Sequence, residues 1–563
     1  MTEPGIAAPL VVGVTSHRDL VAAEIEPIRG RVRALFAALR RDFPDMPLVV
    51  LSSLAEGGDQ LVAEEALRAG IRLVAALPMA RAEYARDFSD AAKLARFESL
   101  CDAAELIELP RRSGFMPIEA PPPVGLARDV RYAEAGVYVS DHCHLLLAIW
   151  DGKPSTSLGG TAQIVRYHLS GVRPSEQRPS GRRSALGYGS ERLAYHVVAS
   201  RDRPDGAPLP SLRALDARWR TGDAISPADA AMPDAFRAMF SCAEAFNVDA
   251  AKYAAGIEAR APPGATGDAL ERLFRAADWL AMHFQRRVVL AMRVLYTVAA
   301  LMAIAFTVYD NVPSQDNMLY VFLLLFAVGG FIVTLANRRG WHRKYLDYRA
   351  LAEGLRVQSY WRRAGLPLTD DAEFGRDNFL QKQDVELGWV RNVMRSAALD
   401  DGVAPVGAGA VAEVVAEWIG DGERQGQLEY YRRKAAQRAR THRLTEAFGF
   451  ASLCAGIGIS VVLAIFAGAL SGDAKNVLVI VMAVFSILAG VRSAYAYKKA
   501  DKELIKQYRY MQQIFDQARI ALKGTSDARE QREILRLLGE AALAEQVEWA
   551  LMHRQRPLEH NRI

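Results

Sequence analysis

Four stretches of this chain are apolar enough to set its whole architecture. Residues 294–309 (VLYTVAALMAIAFTVY) and 318–336 (MLYVFLLLFAVGGFIVTLA) contain no charge. A short polar turn with Pro313 separates them. Residues 447–472 and 476–491 (NVLVIVMAVFSILAGV) are equally free of charge and are joined by a turn around Ser471, Gly472 and Asp473. A bilayer core takes about 20 apolar helical residues, with some slack from tilt and snorkelling. Two membrane hairpins are therefore predicted. The alternative is a pair of buried helical hairpins in a large soluble protein, and four charge-free runs in two tight hairpins argue against it.

Before residue 205 the pattern changes to short buried strands alternating with amphipathic helices. Strands are predicted at 10–14, 48–51, 71–77, 106–109, 145–150 and 193–200. Helices are predicted to about residue 42 and over 60–69, 82–101, 128–140 and 162–168. Strand–helix alternation of this length predicts a Rossmann-like α/β fold, a doubly wound and mostly parallel sheet. The C-terminal part reads as an all-α transmembrane module with four spans and cytoplasmic amphipathic helices. The expected division is 1–205 for the α/β domain, 206–285 for linker and helices, and 286–345 for the first hairpin. It continues with 346–445 for a helical segment, 446–495 for the second hairpin and 496–563 for C-terminal helices. An Arg-, Pro- and Ser-rich stretch at 171–190 reads as a loop beside the α/β domain.

Composition sharpens this picture. The 563 residues are 51% hydrophobic and 24% charged, which excludes a disordered chain. Mean hydropathy is close to zero, high for so charged a chain, and averages soluble and very apolar segments. Seventy Lys and Arg against 65 Asp and Glu leave +5, too interleaved to argue for nucleic acid. Much of the excess sits at the expected inner ends of the spans. Arg286, Arg287 and Arg293 precede the first, and Arg338, Arg339, Arg343 and Lys344 follow the second. Arg438, Arg440 and Arg443 precede the third, and Arg492, Lys498 and Lys499 follow the fourth. The hairpin turns hold only Lys475. The positive-inside rule then predicts a multi-pass protein of the cytoplasmic (inner) membrane with both termini inside. The four cysteines show no paired spacing, so neither a disulfide framework nor a metal site is expected. The first thirty residues lack a basic start followed by an apolar run, and no cleaved signal peptide is expected.

The spans carry no Asp or Glu, which excludes the usual proton-coupled transport chemistry. Small residues are frequent instead (Gly329, Gly330, Gly449, Gly456, Gly458, Gly468) and suit close helix packing or an oligomeric interface.

Candidate chemistry lies in the βα turns. In doubly wound sheets ligands sit beyond the carboxyl ends of the strands, where helix N-termini favour anions. One turn carries Gly13, Thr15, Ser16, His17 and Arg18. A second carries Ser52, Ser53, Glu56, Gly57, Gly58 and Asp59. A third carries Asp151, Gly152, Gly159, Gly160 and Thr161. Glycine permits close approach to a phosphate, and hydroxyls with Arg suit its oxygens. Each feature also has a plain structural use. Glycine serves turn geometry, acidic residues at a helix start favour the dipole, and His17 can hold a turn.

GVTSHRDL, LSSLAEGGDQLVAEEAL, LPMARAEYARDF and LLLAIWDG…LGGTAQIV resemble, in order and spread over about 200 residues, the SLOG superfamily of Rossmann-like domains. That group includes the LOG (lysine-decarboxylase-like) phosphoribohydrolases and the DprA-type fold. The resemblance implies a pocket for a nucleotide or nucleotide-derived signal, lined by the three turns, with no other cofactor. LOG enzymes carry PGGxGTxxE, and alignment on Thr161 puts Ile164 where their catalytic Glu stands. Ile carries no charge, so the chain resembles a binding version of the domain more than a hydrolase. Asp151, Glu56 or Asp59 would have to act if it were an enzyme. HRKYLDYRALAEGLRVQSYW and LLGEAALAEQVEWALMHRQRPLE, beside the hairpins, resemble the SLATT group of membrane effectors. That second resemblance implies a nucleotide-sensing, oligomeric pore former of prokaryotic antiviral or conflict systems.

Overall fold

The computed structural model describes residues 6–88, 90–109, 124–171, 192–260, 268–312, 315–366, 379–380, 387–399, 409–421, 423–466 and 468–554. The loop expected at 171–190 falls, from 172 onward, outside the described residues, as does Pro313. The chain divides into two compact units, 1–276 with 376–404, and 277–375 with 405–563.

The first unit is the expected α/β domain. Its strands are β1 (Leu10–Ser16), β2 (Leu48–Ser52), β3 (Arg72–Leu77), β4 (Glu105–Glu108), β5 (Leu145–Trp150), β6 (Leu193–Val198) and β7 (Ala217–Arg220). They form one sheet in the order β4-β3-β2-β1-β5-β6-β7. All neighbours are parallel except β6 and β7. Every residue of β2 and β5 is buried, as continuous apolar strands require in a sheet covered on both faces. Helices α1 (Ile25–Asp42), α2 (Gly58–Arg68), α3 (Arg81–Tyr84), α4 (Ala91–Ala103), α5 (Val124–His142) and α6 (Thr161–Ser170) accompany the strands. α7 (Asp234–Lys252) and α8 (Ala254–Glu258) follow β7.

The structure departs from the sequence reading in three places here. The helix expected over 82–101 is broken at Phe88. Asp90 starts α4 by accepting the amides of Ala92 and Lys93 at 2.7 and 3.4 Å. The domain does not end at 205, because β7 closes the sheet as an antiparallel edge. A four-residue strand after a Pro-rich stretch is too short to show a period. Residues 376–404 also return to this unit, where α12 (Gly388–Ala397) is buried. Its Trp389 meets Phe246 of α7 at 6.0 Å between ring centroids.

The second unit is all-helical. α9 (Ala269–Asn311), which begins in the first unit, α10 (Asn317–Arg338), α14 (Gln427–Phe466) and α15 (Gly472–Lys498) contain the four apolar runs. Together with α11 (Trp341–Arg363) they are joined by α13 (Ala410–Trp418), α16 (Asp501–Gly524) and α17 (Ala528–Arg554). Four helices are long and apolar enough to cross a membrane. Large apolar side chains such as Tyr320, Phe331, Phe450 and Ile465 are about 70% exposed, as lipid-facing residues are. Each hairpin leaves its second apolar helix through one left-handed residue, Gly340 (φ 59°) or Ala500 (φ 52°), into a charged helix.

Candidate functional site

From β1 the chain builds outward through β2, β3 and β4, then crosses back to place β5 on the other side of β1. The reversal makes β1 and β5 the switch point of the sheet, the position at which doubly wound sheets hold ligands beyond the carboxyl ends. Ser16 pairs with Ile149 at that edge, and the His17 amide donates to the Ile149 carbonyl at 3.0 Å.

The polar residues beyond this edge converge. Ser16 Oγ donates to Asp59 Oδ1 at 2.6 Å, and Ser53 Oγ to Asp59 Oδ2 at 3.1 Å. Thr161 Oγ1, at the start of α6, donates to the Ser16 carbonyl at 2.7 Å. His17 Nε2 lies 3.2 Å from Asp151 Oδ1, within ion-pair range but off the line of a good hydrogen bond. Thus all three turns meet at Ser16 and His17.

Burial sets the electrostatics. Asp59 is 2% exposed, and desolvation pushes its carboxyl up to about 6. The Ser16 and Ser53 hydroxyls, the Arg18 charge and the Ala55 amide oppose that rise. Burial likewise lowers the His17 imidazole below its usual value, against the pull of Asp151. A buried carboxylate carrying so large a penalty beside a strand end is the kind of group that function retains. The turn itself is strained, since Leu54 holds φ 53° while fully buried, with its carbonyl accepting from Gln60 Nε2.

The glycines of the three turns pack closely against the chain itself. Gly13 lies inside β1, and a Cβ there would meet Cys143 and Val139 at 2.7–2.9 Å. Gly57 has φ 91°, and its Cβ would strike the Arg18 carbonyl at 2.4 Å. At Gly58 the obstacle is Ser16, at 2.6 Å. The pair therefore lets α2 close on the β1 turn. Gly152 backs onto Leu212, Gly159 onto Ala133, and Gly160 onto Ser157 of its own turn. The amides of Gly58, Gly159 and Gly160 are taken by His17, Gln163 and Ser157 respectively. The polar side chains beyond this strand edge are Arg18, which is exposed, Thr15 and the group around Asp59. Ser52 is buried and accepts the Leu54 amide at 3.1 Å. Glu56 is ion-paired to Lys93.

Several residues around Arg18 carried no sequence signal. Exposed Arg18 lies 5.0 Å over the Tyr132 ring, and Tyr132 donates its hydroxyl to Asp87. Arg128 pairs with the same Asp87 at 2.5 Å. Asp19 binds Arg201 at 2.8 Å, tying the β1 turn to the segment after β6. Such pairs join positions up to 182 residues apart, and only the fold brings them together. Ile164 is 1% exposed and packs on Gly136 of α5.

The buried histidines at the opposite, amino end of the sheet are structural. His144 accepts the Val11 amide at 3.2 Å and bonds the Asn392 carbonyl at 2.8 Å. Burial takes its pKa down to about 3. His168 bridges Ser140 and the Leu193 carbonyl at 3.0 and 3.1 Å. Comparison of the chain with protein-family models, with curated proteins and with solved structures finds no match.

Proposed function

We propose that the chain is an inner-membrane effector whose α/β unit senses a nucleotide or nucleotide-derived signal in the cytoplasm. Binding forms or gates a pore built from the four spans of several copies. The supporting observation is a strained, partly desolvated polar site at the β1/β5 switch point, in a chain that also carries four span-length apolar helices. The chain passes between its two units three times, at 276–277, 375–376 and 404–405, which supplies covalent routes for coupling. A ligand shifts a closed–open balance only by its differential affinity for the two states. The SLOG and SLATT resemblances favour a role in prokaryotic antiviral or conflict defence. The basic residues flanking the spans favour both termini inside.

The test is to purify the full chain in detergent, denature it and identify the small molecules released. A nucleotide-type molecule is expected. Arg18→Ala, an exposed change, should weaken its rebinding roughly tenfold or more, as loss of a charge-assisted phosphate contact does. Release of no such molecule, together with no binding of any nucleotide tried, would contradict the reading.

A second reading is a membrane-tethered nucleotide-processing enzyme, a LOG-like phosphoribohydrolase or glycosidase. The raised Asp59 carboxyl favours it, since acid–base groups are tuned toward neutrality. Chromatography of nucleotides after incubation separates the two, because a pure sensor returns its ligand unchanged.

A further inference from the structure

Within the helical unit a cavity of about 300 Å³ lies between α9, α11, α14, α16 and α17. These are the cytoplasm-type extensions of all four spans, plus the last helix. α9 and α14 run directly into spans, and α11 and α16 follow spans after Gly340 and Ala500.

The lining is cationic and aromatic. Arg349, Arg356, Lys434 and Arg438 face it against two carboxylates, Glu353 and Glu545. Arg349 holds Glu353 at 2.5 Å, and Arg356 binds the same carboxylate. Arg438 pairs with Asp501 at 2.6 Å. Lys434 lies 5.9 Å over the Tyr430 ring and has no carboxylate partner among the described residues. Two buried donors on the lining, Gln546 Nε2 and Arg356 Nε, also lack a hydrogen-bond partner among the described residues. Tyr345 and Trp549 meet edge to face at 5.7 Å and close one wall. Burial, and then repulsion from Glu353, hold the Glu545 carboxyl up to about 7, so the cavity resists further negative charge from its own lining less than the count suggests. A second space of about 280 Å³ shares Lys434 and Arg438 and reaches Thr441 and Lys499, at the inner ends of the spans.

A solvated surface disperses its cations. Here the charge excess, the orphan donors and the aromatic walls enclose one volume, at the small end of ligand pockets. Guanidinium forks beside an ammonium suit the oxygens of a phosphate. We propose that this cavity binds the phosphate group of a small ligand, with Lys434, Arg349 and Arg438 as its contacts. Occupancy then fastens together the extensions of all four spans. This site is separate from the sheet edge and does not rest on the sensing proposal.

The chemistry is shared by a lipid headgroup and by a soluble phosphate, and the experiment separates them. The full-length protein in a maltoside detergent is titrated with dioctanoyl phosphatidylglycerol in one arm and inorganic pyrophosphate in the other, at constant ionic strength. Binding is read by calorimetry and by the shift in melting temperature. Saturable binding, one per chain, is expected in at least one arm. Lipid alone identifies a headgroup site, and pyrophosphate alone a soluble one. Lys434→Gln should weaken binding roughly tenfold, and Lys434→Arg should largely restore it. Arg438→Lys is the second variant should Lys434→Gln fail to elute as wild type. Binding in neither arm, or binding that Lys434→Gln and Arg438→Lys leave unchanged, overturns the proposal.

Discussion

Asp59 shows most clearly what one buried carboxylate costs. Its carboxyl titrates at about 6 in the folded chain, against 3.8 for an aspartate in water, so the folded state disfavours the charge. By linkage, the penalty is fully present above about pH 6 and fades as pH falls toward 4. Asp59→Asn removes it but forfeits part of the hydrogen bonding from Ser16 and Ser53. The variant should be more stable than wild type by about 1–2 kcal/mol at pH 8, with the gain gone near pH 4, as thermal melts across pH would record. Unchanged or lower stability at pH 8 would contradict the assignment of strain to this carboxylate. Ligand binding should fall in the same variant. At this scale the sequence was partly legible. Ser16, Ser53, Asp59, Asp151 and Thr161 come together as their positions implied, whereas Ser52 and Glu56 are engaged elsewhere and the glycines seat α2 and fill turns. Spacing alone does not show which side of a glycine faces the chain's own backbone.

At the scale of elements, periodicity carried the strands, the spans and the charged helices beside them. It failed where length or context decided. β7 has four residues, and α12 is amphipathic in a way that does not say which unit will bury it. Trp361 of α11 serves packing, donating to the Leu535 carbonyl at 3.1 Å against a gap left by Gly539. The two left-handed breaks after the apolar hairpins can be tested one by one. Nothing lies within 4 Å of a Cβ built at Gly340, so Gly340→Ala meets only backbone strain at φ 59°. It should cost about 1 kcal/mol. Ala500→Gly exchanges similar strain for chain entropy and should change stability by less than about 0.5 kcal/mol. Melting temperatures in detergent distinguish the two. A neutral Gly340→Ala would mean that the left-handed exit is not required there.

For the whole molecule, near-zero hydropathy proves to be an average over an α/β unit and a helical unit with four apolar helices. Much of the Lys and Arg excess lies beside those helices. The α/β fold and the span-length helices were readable from patterning, because burial on both faces and long charge-free runs leave different signatures. The return of 376–404 to the first unit was not, because it depends on contacts far apart in the chain. The small residues of the third span, Gly449, Gly456 and Gly458, have nothing within 4 Å of a Cβ in the single chain, leaving room for another helix. The most direct test of the central claim is ion and dye flux from liposomes holding the purified full-length protein, as a panel of cellular nucleotides is added. Leakage is expected with at least one nucleotide that also binds, together with loss of that leakage in Arg18→Ala. Tight nucleotide binding with no leakage under any nucleotide tried would contradict the claim.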